Sequence, residues 1–188
     1  MIYKFTEVLN DLVNYFFLSD ILLSEKWKEQ NNLSDNLGAE FISNESGDRV
    51  FYENIAIPMM DIENYPYIVL FNLSNDIPEL CKQENKLQFR KSGYYLKIEN
   101  NILMLFTWRI LEKFTHNNIE NLITCYKQYN KPLIELPNGW YHIEILGGEI
   151  LENGYYEPTL EFIIQAVEEI NVVKEDMDLS FKIISSTY

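Results

Sequence analysis

Cysteine, histidine, glycine and basic side chains are all scarce in this chain. Its two cysteines, Cys81 and Cys125, stand 44 positions apart with no Cys or His beside them at ligand spacing. That excludes a disulfide framework and a structural zinc site and leaves both as isolated buried thiols. The two histidines, His116 and His142, have no Cys or Asp at triad spacing, and no Gly-x-Ser-x-Gly elbow, P-loop or Gly-x-Gly-x-x-Gly turn is present. Serine-histidine hydrolysis and nucleotide binding through those devices drop out, and Gly147-Gly148-Glu149 is read as a flexible loop. Seven glycines and six prolines, spread over the whole length, exclude collagen-like and low-complexity architecture. Nowhere do 18 consecutive residues run apolar and uncharged, and Glu7 and Asp11 stand where a signal peptide would be hydrophobic. A soluble, cytoplasmic protein is expected.

Bases are outnumbered, 15 Lys and Arg against 29 Asp and Glu, for a net charge of −14. Such a surface repels phosphate backbones and anionic lipid headgroups, so nucleic acid and membranes are not expected as direct partners. It favours encounter with a basic protein, although the same charge also serves solubility alone. The excess is uneven: residues 1–50 hold nine acids and four bases, 51–139 hold ten and nine, and 140–188 hold ten and two. Leu160, Phe162, Ile164, Phe181 and Ile183 interleave with the late acids, which marks a folded segment rather than an acidic tail.

With 188 residues, 47% of them apolar and 14% aromatic, the chain fills one core and is short for two, so residues 1–188 are read as one domain. Short apolar runs recur about every ten residues between turn signals. Asn138-Gly139 divides 132–136 from 140–146 and predicts a hairpin, because both residues accept positive φ. Asn100-Asn101 divides 94–98 from 102–108 in the same way, and Ser46-Gly47 and Asn153-Gly154 mark further reversals. The unbroken run Tyr67-Ile68-Val69-Leu70-Phe71-Asn72-Leu73 reads as a strand buried on both faces. Together these predict a mainly β fold, an antiparallel β-sandwich, with one or two short helices covering an end or edge. One helix is expected at 117–129, capped by Asn117 or Asn118, with Ile119, Leu122, Ile123 and Tyr126 on one stripe; a second is expected at 24–30. Phe5, Val8, Leu9, Leu12, Val13 and Phe16 fit a helical stripe, yet Asn14-Tyr15-Phe16-Phe17-Leu18 has strand propensity, and periodicity leaves both open. Tyr65, Tyr67, Phe71, Tyr94, Tyr95, Phe106 and Trp108 are read as core.

Four pieces in order, Asn14 to Asp20, Tyr67 to Leu73, Leu136-Pro137-Asn138-Gly139-Trp140-Tyr141-His142-Ile143, and Leu160 to Ala166, resemble bacterial β-sandwich nuclease inhibitors of the competence protein J type. The chain is similar in general character to immunity proteins of interbacterial toxin systems, including contact-dependent growth inhibition. The resemblance implies a strand at Asn14 to Asp20 and supplies no catalytic residues. The chain departs from that family in length, by an insertion near 117–129 and an extension after Val167.

The stretch Gly147-Gly148-Glu149-Ile150-Leu151-Glu152-Asn153-Gly154-Tyr155-Tyr156-Glu157-Pro158 mixes acids with tyrosines and joins two predicted strands. Tyrosines bring large contact area at low rotamer cost, and loops at sandwich ends commonly carry recognition. The expected partner-binding residues are Glu144, Glu149, Glu152, Tyr155, Tyr156 and Glu157; the plain alternative is a hairpin whose tyrosines pack on its own sheet. Glu168-Glu169 and 174–178 are read as a solvated turn. Glu144 with Glu149 as acid and base is an enzymatic reading, and Trp140, Tyr155 and Tyr156 as a sugar platform is a binding one. The leading expectation is a non-catalytic immunity or inhibitor protein, without metal or cofactor. It would bind one basic toxin domain, a nuclease in kind, as a monomer, the alternative being a carbohydrate- or small-ligand-binding module.

Overall fold

In the computed structural model, which describes residues 1–8, 13–168, 170 and 177–188, two sheets face each other. One holds β1 (Ile2–Val8), β4 (Tyr67–Asn72), β9 (Tyr155–Val167), β8 (Gly139–Glu152) and β5 (Lys86–Ile98), in that spatial order. The other holds β3 (Ala56–Met60), β2 (Tyr15–Ser19), β6 (Ile102–Thr107) and β7 (Leu133–Glu135). Neighbours run antiparallel except β4 and β9, which are parallel. Alternate side chains from both sheets meet between them: Phe16, Leu18, Ile57 and Met59 on one side, Tyr67, Val69, Phe71, Leu96, Ile143 and Phe162 on the other. The mainly β sandwich expected from the turn spacing is the observed architecture.

β4 is buried at all six positions because its second face is covered too. Ile68 and Leu70 pack with Leu80, Leu146, Ile150 and Ile163. On the outer face of the second sheet, Phe17, Met104 and Phe106 are covered by α1 (Ile21–Gln30), α2 (Leu37–Ser43), α3 (Ser46–Tyr52) and α4 (His116–Gln128). The two expected helices are α1 and α4, but α1 starts three residues earlier than expected, capped by Asp20, and the residue preceding α4 is Thr115 rather than Asn117 or Asn118. They cover a sheet face instead of an edge. Ser46-Gly47 opens α3 and reverses no strand. Cys81 is half-buried and Cys125 exposed on α4, so the reading of both thiols as buried does not hold. Within the stretch 14–20, Tyr15–Ser19 form the strand that the resemblance implied, while Leu9 and Leu12 lie outside the described residues.

Two expected hairpins are crossovers. β5 ends at Ile98 opposite Gly139, where β8 begins, and β6 begins at Ile102 opposite Glu135, where β7 ends. The turns at 99–101 and 136–138 therefore lie side by side, each carrying the chain from one sheet to the other. They are joined by Asn101 N–H donating to Asn138 Oδ1 at 2.8 Å and Leu136 N–H donating to the Asn101 carbonyl at 3.1 Å. Turn propensity is a local preference; the ladder of β8 against β9 runs the full length from Trp140 to Glu152, and that larger sum decides the partners. Asn153-Gly154 is a true two-residue hairpin turn, with φ of 51° and 87°, both left-handed.

The segment expected as an extension is part of the core. The Met60 N–H donates to the Leu179 carbonyl at 2.8 Å and the Phe181 N–H to the Met60 carbonyl at 2.9 Å, while Ile184 exchanges two hydrogen bonds with the Gln88 side chain. Phe181 and Ile183 are fully buried. Residues 177–188 thus strap the edge strand β3 of one sheet to the edge strand β5 of the other and protect both edges. Glu169 and residues 171–176, which include most of the expected solvated turn, lie outside the described residues.

Candidate functional site

Along β8, Tyr141, Ile143 and Ile145 point into the core, which sends Trp140, His142 and Glu144 to the outer face, as the alternation requires. His142 Nε2 lies 3.0 Å from Ser92 Oγ and 3.3 Å from the Gly93 N–H. The amide can only donate, so Nε2 is an acceptor and the Ser92 hydroxyl donates to it as well. The ring holds the β5 bulge between Lys91 and Tyr94. Burial pulls its pKa below the usual histidine value.

The six expected partner-binding residues separate. Glu144 is held by Arg90 on β5, Nε at 2.9 Å and Nη2 at 2.8 Å, one to each oxygen. Glu149 lies on the opposite face, 1% exposed, and accepts from the Ser186 N–H at 2.6 Å, the Ser186 hydroxyl at 2.8 Å and Lys86 Nζ at 3.3 Å. The structure therefore withdraws Glu149 from contact with a partner, and the two carboxylates share no cleft in which to act as acid and base. Tyr156 is pinned under Lys86, whose ammonium sits 3.4 Å from the ring centroid. The other three converge. Glu152, Tyr155 and Glu157, with Asn153, Tyr67 and Tyr188, line a groove of about 560 Å³ at the hairpin tip. Tyr155 is 66% exposed. The Tyr188 hydroxyl donates to Glu157 Oε2 at 3.2 Å, and its ring stacks on Tyr65 at 5.9 Å. Glu152 meets Lys4 at 2.7 Å on the rim, and no ion pair to Glu157 occurs among the described residues.

Trp140 sits at the far end of β8, roughly 40 Å along the strand from the tip at about 3.3 Å per residue, so it shares no platform with Tyr155 and Tyr156. Tyr188 and Tyr65 were not legible as site residues. Tyr188 reaches the groove through the strap and Tyr65 backs it from the loop before β4, and only an isolated terminal tyrosine after a polar run hinted at it. The late acid excess is partly offset from β5: Lys86, Arg90 and Lys91 take Glu149, Glu144 and Asp178. Among the described residues, no group of three His, Cys, Asp or Glu is placed to hold a metal ion, and no helix is long and apolar enough to cross a membrane.

Glu149 gives a pH prediction. Burial would raise its pKa, but the Ser186 N–H and hydroxyl, with Lys86, outweigh burial and hold the carboxyl below the usual range. A folded pKa below the unfolded one means that the stabilisation is present above the unfolded value and is lost as pH falls through the folded one. Hydrogen-exchange protection of residues 177–188 is expected to fall below about pH 4. Glu149→Gln should lower protection at neutral pH and remove that dependence; a wild-type strap equally protected at pH 3 and pH 7 would contradict it.

No family model matches the chain, and no curated protein does. Among solved structures it is similar to ComJ from Bacillus subtilis, described as an inhibitor of the DNA-degrading activity of NucA, at 10% identity and a TM-score of 0.45, covering 89% of this chain and 96% of that one. It is also similar to the protein described as crocagin biosynthetic gene J, at 8% identity and a TM-score of 0.41, covering 86% of this chain and 94% of that one.

Proposed function

We propose that this protein is a stoichiometric immunity or inhibitor protein that binds a basic toxin domain, a nuclease in kind, and occludes its active site without turnover. One observation carries the reading: Glu152, Tyr155 and Glu157, predicted from sequence as contact residues, converge with Tyr188 in one solvent-facing groove. Tyrosine rings supply the dry contact area, and the carboxylates receive a lysine or arginine that would otherwise hold a phosphate. The net charge of −14 steers the approach of such a partner. The protein acts in the cytoplasm, as a monomer against one toxin, and needs no cofactor.

The test uses the basic C-terminal domain of a toxin encoded beside this gene. Full inhibition is expected at one to one, with an association rate that drops by about tenfold or more between low and high salt. The triple variant Glu152→Gln, Tyr155→Ala, Glu157→Gln, which removes no buried group, should fold normally and lose affinity by at least about 100-fold. Undiminished binding by that variant, or a rate indifferent to salt, overturns the assignment of this groove.

A further inference from the structure

A second groove, of about 630 Å³, lies on the outer face of β2 and β3, away from the hairpin tip. Its floor is Tyr15 and Phe17 of β2. The alternation that turns Phe16 and Leu18 into the sandwich turns these two out. Phe41 of α2, Tyr52 of α3 and Trp108 form the walls. The rings are fixed against one another: Tyr15 stacks on Phe17 at 5.0 Å and meets Trp108 edge-on at 5.3 Å, and Phe17 lies 5.9 Å from Phe41. Trp108 presses on Gly38 so closely that a Cβ there would lie 2.9 Å from the indole, so the wall is preorganised by backbone rather than by a flexible neighbour. Ile42 and Tyr52 stand at the mouth, 78% and 55% exposed.

Among the described residues, Asp48 is the one charged side chain on the lining, and no cation makes an ion pair with it. Burial first, and the Asp48 charge second, push the Tyr15 hydroxyl up to about 12, which places that carboxylate within electrostatic reach of the aromatic floor. The volume is that of a small-molecule pocket, about 300–1,000 Å³. Its few polar groups do not suit a sugar. Aromatic faces and a carboxylate both favour a cation and disfavour an anion, and the surrounding field has the same preference.

We infer that this groove binds a small amphiphilic cation, an aromatic or aliphatic body carrying a single protonated amine, with the body among Tyr15, Phe17 and Trp108 and the ammonium at Asp48. This site is independent of the hairpin groove, and its failure leaves the inhibitor reading untouched.

The probe is 4-phenylbutylamine, compared with 4-phenylbutanol and 4-phenylbutyrate, by calorimetry and by the indole N–H resonances of the three tryptophans. Saturable one-to-one binding of the amine is expected at roughly 0.1–1 mM, as ligand efficiency allows for eleven heavy atoms. The Trp108 signal should move while those of Trp27 and Trp140, which lie outside the groove, stay. The alcohol should bind about tenfold more weakly and the carboxylate not measurably. Asp48→Asn, an exposed change, should bring the amine down to the alcohol, and Tyr52→Ala should weaken both. Equal binding of all three probes, no movement of Trp108, or an Asp48→Asn variant that still prefers the amine overturns the inference. So does a groove that ignores every probe but is protected from exchange by the basic toxin domain, which would make its occupant an apolar side chain of a protein.

Discussion

Replacing Asp20 by alanine is expected to destabilise the fold by about 3–5 kcal/mol, because several buried donors lose their acceptor at once. The side chain is fully buried. Its Oδ1 accepts from the Leu22 and Leu23 N–H groups at 3.2 and 3.1 Å, capping α1. Its Oδ2 accepts from the Glu99 and Asn100 N–H groups at 2.9 and 2.7 Å, in the turn that carries the chain from β5 to β6. A cap alone is worth about 1 kcal/mol; the other two amides, stranded away from water, add roughly 1–3 kcal/mol each at most. Asp20→Asn should be nearly as harmful, since the new amide would turn a donor toward donors. Guanidinium unfolding checks both variants, with a lower midpoint and an unchanged slope as the expected pattern. A loss under about 1 kcal/mol would mean that water reaches the turn.

Phe181→Ala is expected to cost about 3–5 kcal/mol, the range of large aromatic truncations in a closed core. Phe181 lies between Phe89 at 5.9 Å and Tyr94 at 5.7 Å, with the Lys91 ammonium 5.1 Å from its ring centre. Lys91 also pairs with Asp178 at 2.5 Å and donates to the Ser180 carbonyl, so losing the ring should loosen the strap beyond the cavity itself. Exchange at residues 177–188 should rise well above that of the sheet interior. Ile184→Ala three residues on, 71% exposed, serves as control and should stay within about 0.5 kcal/mol of wild type. If both variants behave alike, the strap is an appendage after all.

Apolar alternation and the β-branched run at 67–73 carried enough information to place β4, β8 and β9, and the stripe at 119–126 placed α4. The contact face was legible in part. Tyr155 and Glu157 are two apart on a strand and had to share a side, while Tyr156 between them had to leave it. Glu149 misled because nothing within its own neighbourhood announces Ser186, 37 residues on, or Lys86, 63 residues back. The aromatic groove escaped notice for the same reason, since Tyr15, Phe41, Tyr52 and Trp108 come from four separate elements.

From the residues in order came the periodicities, the true hairpin at Asn153-Gly154, the acid excess and the class of fold, all properties that depend on neighbours a few positions apart. Tertiary structure alone decided which strands Asn100-Asn101 and Asn138-Gly139 would connect, which late carboxylates β5 would neutralise, and that the terminal residues would strap the two sheets together. Those outcomes are set by ladders and buried contacts summed over the whole molecule. Each local preference is worth about a kcal/mol or less, too little to hold against that sum.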